Sequence, residues 1–157
     1  MTPSSSLNWA TLLDGLRATP DRLRALLAEA AAAEARWHES DARAVSEVMA
    51  HLCAVEPPFR ARLARITLQD NPSVAAIADH MTGGYDLDTP AGILLDTFSE
   101  LRAGTAAYLE KLPPAAHARP ALHADTGLTT LRDQVEALLG HDEVEVKRLT
   151  KLLAANR

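Results

Sequence analysis

Near the C-terminus runs Gly-His-Asp-Glu-Val-Glu-Val, residues 140–146, inside a segment that otherwise has the period of an amphipathic helix. A helix turns by about 100° per residue. On that wheel Leu131, Val135, Leu138, Leu139, Val146, Leu149 and Leu153 form one apolar stripe. His141 and Glu145 are four apart and lie together along one flank of it, and Asp142 falls near its middle. Glu143 points away and reads as solvated surface. An i, i+4 pair of imidazole and carboxylate projects from successive turns and can chelate one ion. An earlier stripe, Val45, Val48, Leu52, Val55, Phe59, Leu63 and Ile66, has His51 at its edge and Glu56 on the opposite flank.

If the two stripes face each other in a bundle, His51, His141 and Glu145 meet at the mouth of the core, as in bundle metal sites. Two imidazoles and a carboxylate leave positions open for water or substrate. The set suits zinc, nickel, iron or manganese in the divalent state. The plainer reading of the same residues is an ordinary half-exposed pair with no metal. Asp142 calls for a different account. A carboxylate within an apolar stripe is costly unless hydrogen-bonded or paired. It is expected to be a structural anchor, tied by a tryptophan N–H, a backbone N–H or an arginine.

Other chemistry-bearing residues are weaker candidates. His38, His80 and His117 lie in or near loops and read as surface. His123 just precedes the last helix and could reach the bundle mouth. The single cysteine, Cys53, excludes an internal disulfide and a cysteine-rich zinc site. Among apolar neighbours it reads as a buried, inert thiol. There is no nucleophile elbow, phosphate loop or dinucleotide-binding fingerprint.

Four helical stretches must position these groups. The first spans roughly 7–33 in two pieces, restarting at Thr19 as N-cap and Pro20 as first helical residue. The second spans roughly 41–69 with Ser40 as candidate cap, and Pro57-Pro58 is expected to kink or split it near Glu56. A non-helical stretch over roughly 70–88 follows, with a short helical turn expected around 73–80. The third helix runs roughly 90–111, with Ile93, Leu94, Phe98, Leu101, Tyr108 and Leu109 as its stripe. The fourth runs roughly 131–154, capped by Thr130 and Asp133. No strand-like alternation competes. The fold class is therefore all-α, a four-helix bundle with a long connection, in one domain over 1–157.

Composition agrees. Of 157 residues 47% are hydrophobic and only 4% aromatic, which suits aliphatic helix packing. The net charge of −5 comes without a basic stripe, so nucleic acid is not an expected partner. The N-terminus shows no signal-peptide pattern, and no stretch approaches the ~20 apolar residues of a membrane span. A soluble, cytoplasmic protein is the expectation.

The order and spacing of the segments resemble the DinB-like superfamily of small helical-bundle proteins. Thr-Pro-Asp-Arg-Leu-Arg-Ala-Leu-Leu (19–27) looks like its first helix. Ser46 to Leu63, "SEVMAHLCAVEPPFRARL", resembles its second. "DNPS" (70–73) follows in place, and "HADTGLTTLRDQVEALLGHDEVEVKRL" (123–149) resembles its ending. The resemblance implies a metal triad of one histidine on the second helix and two on the fourth, in His-Asp-x-x-His. By position these are His51, His141 and residue 145, which here is glutamate. The glutamine usual before the following leucine is Arg148 here. The tryptophan often carried before the second helix is displaced, with Trp37 nearest and Arg43 in its place. The resemblance further implies a long-crossover bundle, often a homodimer. Some relatives are transferases or isomerases that use low-molecular-weight thiols such as mycothiol or bacillithiol. A metal-dependent thiol transferase or hydrolase is thus expected. The alternative is a non-catalytic, metal-free bundle that binds a small molecule or dimerises.

Overall fold

A computed structural model describes residues 7–79 and 81–156. His80 lies outside the described residues. Four helices dominate: α1 Trp9–Glu34, α2 Glu39–Leu68, α3 Ala91–Glu110 and α4 Leu131–Ala155. Each of α1 and α2 packs against both α3 and α4. So α1 and α2, joined by residues 35–38 alone, face each other across the bundle rather than lying side by side. No described helix is long and apolar enough to cross a membrane.

Two features depart from the sequence expectation. The first is helix continuity. Helix α1 does not restart at Thr19; it begins after Asn8, whose side chain accepts from the Thr11 N–H at 2.8 Å. Pro20 sits inside it, buried. A proline removes the N–H that would bond the carbonyl four residues back, here that of Leu16. Arg102 of α3 takes up the Leu16 carbonyl instead, at 3.0 Å. Likewise α2 is not split at Pro57-Pro58 but runs unbroken through both, with their rings exposed. Its start is at His38 rather than Ser40, with the His38 N–H donating to Asp41 Oδ2 at 3.2 Å. Tertiary packing on both sides of each proline outweighs the local preference to break.

The second departure is a small sheet. Strands β1 (Ser73–Val74), β2 (Pro120–His123) and β3 (Gly127–Thr130) are ordered β1-β2-β3. The β1–β2 pair is parallel and the β2–β3 pair antiparallel. Where a helical turn is expected around 73–80, the described residues form the short strand β1 followed by a stretch without regular structure. At the hairpin tip, His123 Nδ1 accepts from the N–H groups of Asp125 and Thr126 at 3.1 and 3.4 Å, and Gly127 takes φ +81°. The chain then enters α4 through the expected capping box. Thr130 Oγ1 accepts from the Asp133 N–H, and Asp133 Oδ2 from the Thr130 N–H.

The core has two halves. One holds Leu12, Leu16, Phe59, Leu63, Leu109 and Leu138 under the sheet. The other holds Leu23, Val48, Leu52, Phe98, Val146 and Leu149. Between them lies a buried polar belt to which every helix contributes: Thr19, His51 and Glu56, Arg102, then Asp142 and Glu145. Ile93, expected in the α3 stripe, is exposed.

Candidate metal centre

The belt has two parts. At its centre Arg102, 1% exposed, reaches from α3. Nε and Nη2 donate to the two Glu56 oxygens at 2.8 and 3.0 Å. Nη1 and Nη2 donate to the two Asp142 oxygens at 2.6 and 2.9 Å. With the bond to Leu16, all of its donor atoms are engaged. Asp142, fully buried, also accepts from the Thr19 hydroxyl at 2.6 Å. Burial opposes the charged form of Arg102, but hydrogen bonds from Asp142 and Glu56 outweigh it and raise its pKa. Of the three partners considered for Asp142, it is the arginine that binds it. This cluster fixes the rotation of α4 about its axis and thus where His141 and Glu145 point.

Beside it, His51, His141 and Glu145 come together, with one candidate ligand atom from each lying within 4.8 Å of the others. His51 and Glu145 are 4% and 5% exposed. The two imidazoles meet through their Nε2 atoms at 2.9 Å, with rings tilted by 56°. Glu145 Oε1 is 3.9 Å from His51 Nε2. His51 Nδ1 is 2.7 Å from the Met81 carbonyl oxygen. A carbonyl only accepts, so Nδ1 carries the proton and Nε2 of the neutral ring presents its lone pair. This is the orientation that a ligating histidine needs. Burial, reinforced by His51, holds the His141 imidazole below its ordinary pKa, against the opposing pull of Glu145 and Asp142.

The donors fit a divalent ion on two counts. The 2.9 and 3.9 Å separations of His51 Nε2 from its two neighbours are within the ~4.1 Å that two ligands at about 2.0–2.1 Å from one ion can span, while the set as a whole spreads over as much as 4.8 Å, so one side chain must draw in to share an ion. And Glu145 Oε2 is buried with no hydrogen-bond partner, its closest cation being Arg148 Nη1 at 3.5 Å. Arg148 thus supplies a positive neighbour, but no donor hydrogen-bonds this oxygen among the described residues, so it keeps the capacity to accept one. Arg148 also reaches Glu47, at 3.7 Å.

The remaining candidates fall as follows. Cys53 is fully buried and donates to the Leu94 carbonyl at 3.2 Å. Burial, with Glu56 adding, pushes its thiol up to about 11. Glu143 is half-buried and ion-paired with Arg22. His38 is exposed, whereas His117 is half-buried and stacks on Trp9 at 3.7 Å. Trp37 donates from Nε1 to the Asn156 carbonyl at 3.2 Å. His123 lines a cavity with His51 and His141. Sequence reasoning passed over Arg102, Arg62 and the Met81 carbonyl. Arg102 had a signal: it lies four residues after Phe98, so it interrupts the α3 stripe as Asp142 interrupts that of α4.

The model of the DinB superfamily matches residues 15–144. No curated protein matches the chain. Among solved structures, one similar fold is YfiT from Bacillus subtilis, described as a probable metal-dependent hydrolase with an unusual four-helix bundle topology. The TM-score is 0.73 at 17% identity, over 97% of this chain and 91% of that one. At that identity the likeness is one of fold.

Proposed function

The chain belongs to the DinB superfamily, and from that premise we propose that it is a metal-dependent hydrolase whose divalent ion is held by His51, His141 and Glu145. The observation that carries the reading is the His51 tautomer. Its Nδ1–H is committed to Met81 O, which leaves the Nε2 lone pair facing His141 with Glu145 alongside. The description of YfiT as a probable metal-dependent hydrolase supports the reaction class. His51, His141 and Glu145 would hold the ion, which would supply Lewis-acid polarisation of an acyl or phosphoryl oxygen and a water of lowered pKa. The protein's own part is to orient the imidazoles, through Met81 on one side and the Arg102–Asp142 cluster on the other, and to wall the site from bulk water. Thiol transfer would need a thiol from outside the chain, since Cys53 is buried, hydrogen-bonded and pushed up to about 11.

A second reading is favoured by the same 2.9 Å separation. His141 Nε2–H donating to His51 Nε2 is a good hydrogen bond without any ion. On that reading the chain is a metal-free, non-catalytic bundle. Tag-free, chelator-treated protein titrated with nickel or zinc separates the two. One equivalent bound per chain, lost in His51→Ala and His141→Ala, supports the metal site, together with chelator-sensitive hydrolysis of a panel of chromogenic esters. Uptake below about one-tenth of an equivalent refutes it.

A further inference from the structure

A cavity of about 180 Å3 opens beside His51 and His141. Its remaining polar lining is Arg62, Asp79 and His123, and its apolar walls include Phe59 and Ile77. Arg62 is only 9% exposed. Its Nη1 donates to Gln134 Oε1 at 2.9 Å and its Nη2 to the Ala75 carbonyl, while its guanidinium lies over the Phe59 ring at 4.9 Å. All three partners are neutral. The one lining carboxylate, Asp79, is exposed and forms no ion pair with Arg62 among the described residues. Burial alone pulls this guanidinium below its ordinary pKa. Arg102 is the contrast, a buried arginine neutralised by two carboxylates. A buried cation without a counter-charge is costly, and it borders an open space. At the same cavity His123 has its Nδ1 occupied as an acceptor from two backbone N–H groups, so its ring proton is on Nε2, as a donor.

We propose that this cavity binds a small carboxylate, held by the Arg62 guanidinium and the His123 Nε2–H, so that the substrate of the hydrolysis proposed above carries a carboxylate group. A planar guanidinium fork matches a carboxylate. The volume lies below the ~300–1,000 Å3 of drug-sized pockets, and the Phe59 and Ile77 walls suit a short apolar chain. The word substrate rests on the metal reading; the binding does not.

Butyrate, its neutral isostere butyramide and inorganic phosphate are titrated calorimetrically against metal-free and nickel-treated protein. Butyrate is expected to bind at least tenfold more tightly than butyramide and than phosphate. Arg62→Gln should abolish that preference and Arg62→Lys should keep part of it. The preference should already be present in the metal-free protein, which separates this proposal from the metal site. If nickel fails to bind but the preference stands, only the metal reading falls, and the converse result removes only the carboxylate pocket. Independently of any variant, butyrate should shift the His123 imidazole ¹⁵N signals of the wild-type protein. Equal binding of butyrate and butyramide, tighter binding of phosphate, a preference that survives Arg62→Gln, or an unmoved His123 signal would overturn the proposal.

Discussion

Replacing Arg102 with methionine removes the cation on which Glu56 and Asp142 converge. The two carboxylates are 1% and 0% exposed, and four of the hydrogen bonds they accept come from this guanidinium. Stranding a buried charge by removing its partner costs about 3–5 kcal/mol. Here two are stranded, and the Leu16 carbonyl, already without its helical donor because of Pro20, loses its substitute as well. Removing Asp142 is a different perturbation. In Asp142→Ala the Arg102–Glu56 pair survives and is neutral, so the cost falls to that of lost hydrogen bonds, about 1–3 kcal/mol. The ordering is therefore the test: Arg102→Met destabilises more than Asp142→Ala. At about 2–4 °C per kcal/mol for a domain of this size, Arg102→Met should lower Tm by roughly 6–20 °C. Urea titration and thermal melts followed by circular dichroism at the helical band measure both, with Arg24→Met as surface control. The triple replacement Arg102→Met, Glu56→Leu, Asp142→Leu should recover much of the loss, because no buried charge remains. An Arg102→Met melt indistinguishable from the control, or a larger loss in Asp142→Ala, would refute the picture of a shared cation.

Further outcomes are expected. Glu145→His restores the His-x-x-x-His spacing of the family pattern and should tighten nickel binding, read by competition with a chromophoric chelator; unchanged or weaker affinity would show that Glu145 is not at the ion. Because burial pushes the Cys53 thiol up to about 11, only about a thousandth of it is thiolate at pH 8. Native protein should react negligibly with a thiol reagent there and release one equivalent on unfolding; rapid native reaction would contradict the burial. Gly83 has φ +61°, and a Cβ there would lie 3.0 Å from Ala54 Cβ, whereas Gly84, at φ +76°, has open space. Gly84→Ala should therefore cost about 1–2 kcal/mol, the left-handed penalty alone, and Gly83→Ala more; equal melts would show that the contact relaxes freely.

Much of the site was legible because helical spacing is a strong constraint. His141 and Glu145 share a flank whatever surrounds them, and the His51 and Asp142 positions follow from where each stripe runs. The capping box at Thr130 and Asp133 was readable for the same reason, being local. What escaped was set by distant partners. Thr19-Pro20 has the chemistry of a helix start, yet Thr19 serves Asp142 and Pro20 leaves a carbonyl for Arg102. The strands are two to four residues long, too short for alternation to register. The Met81 carbonyl carries no side-chain signal at all. Whether Arg62 is balanced by a carboxylate depends on contacts that spacing along one helix does not encode.

The parallel pairing of β1 with β2 makes α3 the crossover of a βαβ unit set inside a bundle. Its register joins Ser73 to Leu122 and Val74 to His123. Parallel strands cannot close through a local turn, so β1 reaches β2 only across the α3 crossover, whereas the β2–β3 hairpin pairs neighbouring residues. After β1 the chain exposes Ala75, Ala76, Ala78 and Asp79, with the Ala75 carbonyl accepting from Arg62. The same stretch also carries the carbonyl that sets the His51 proton. Met81 therefore sets which His51 nitrogen faces His141, from a position in the βαβ connection rather than on a helix.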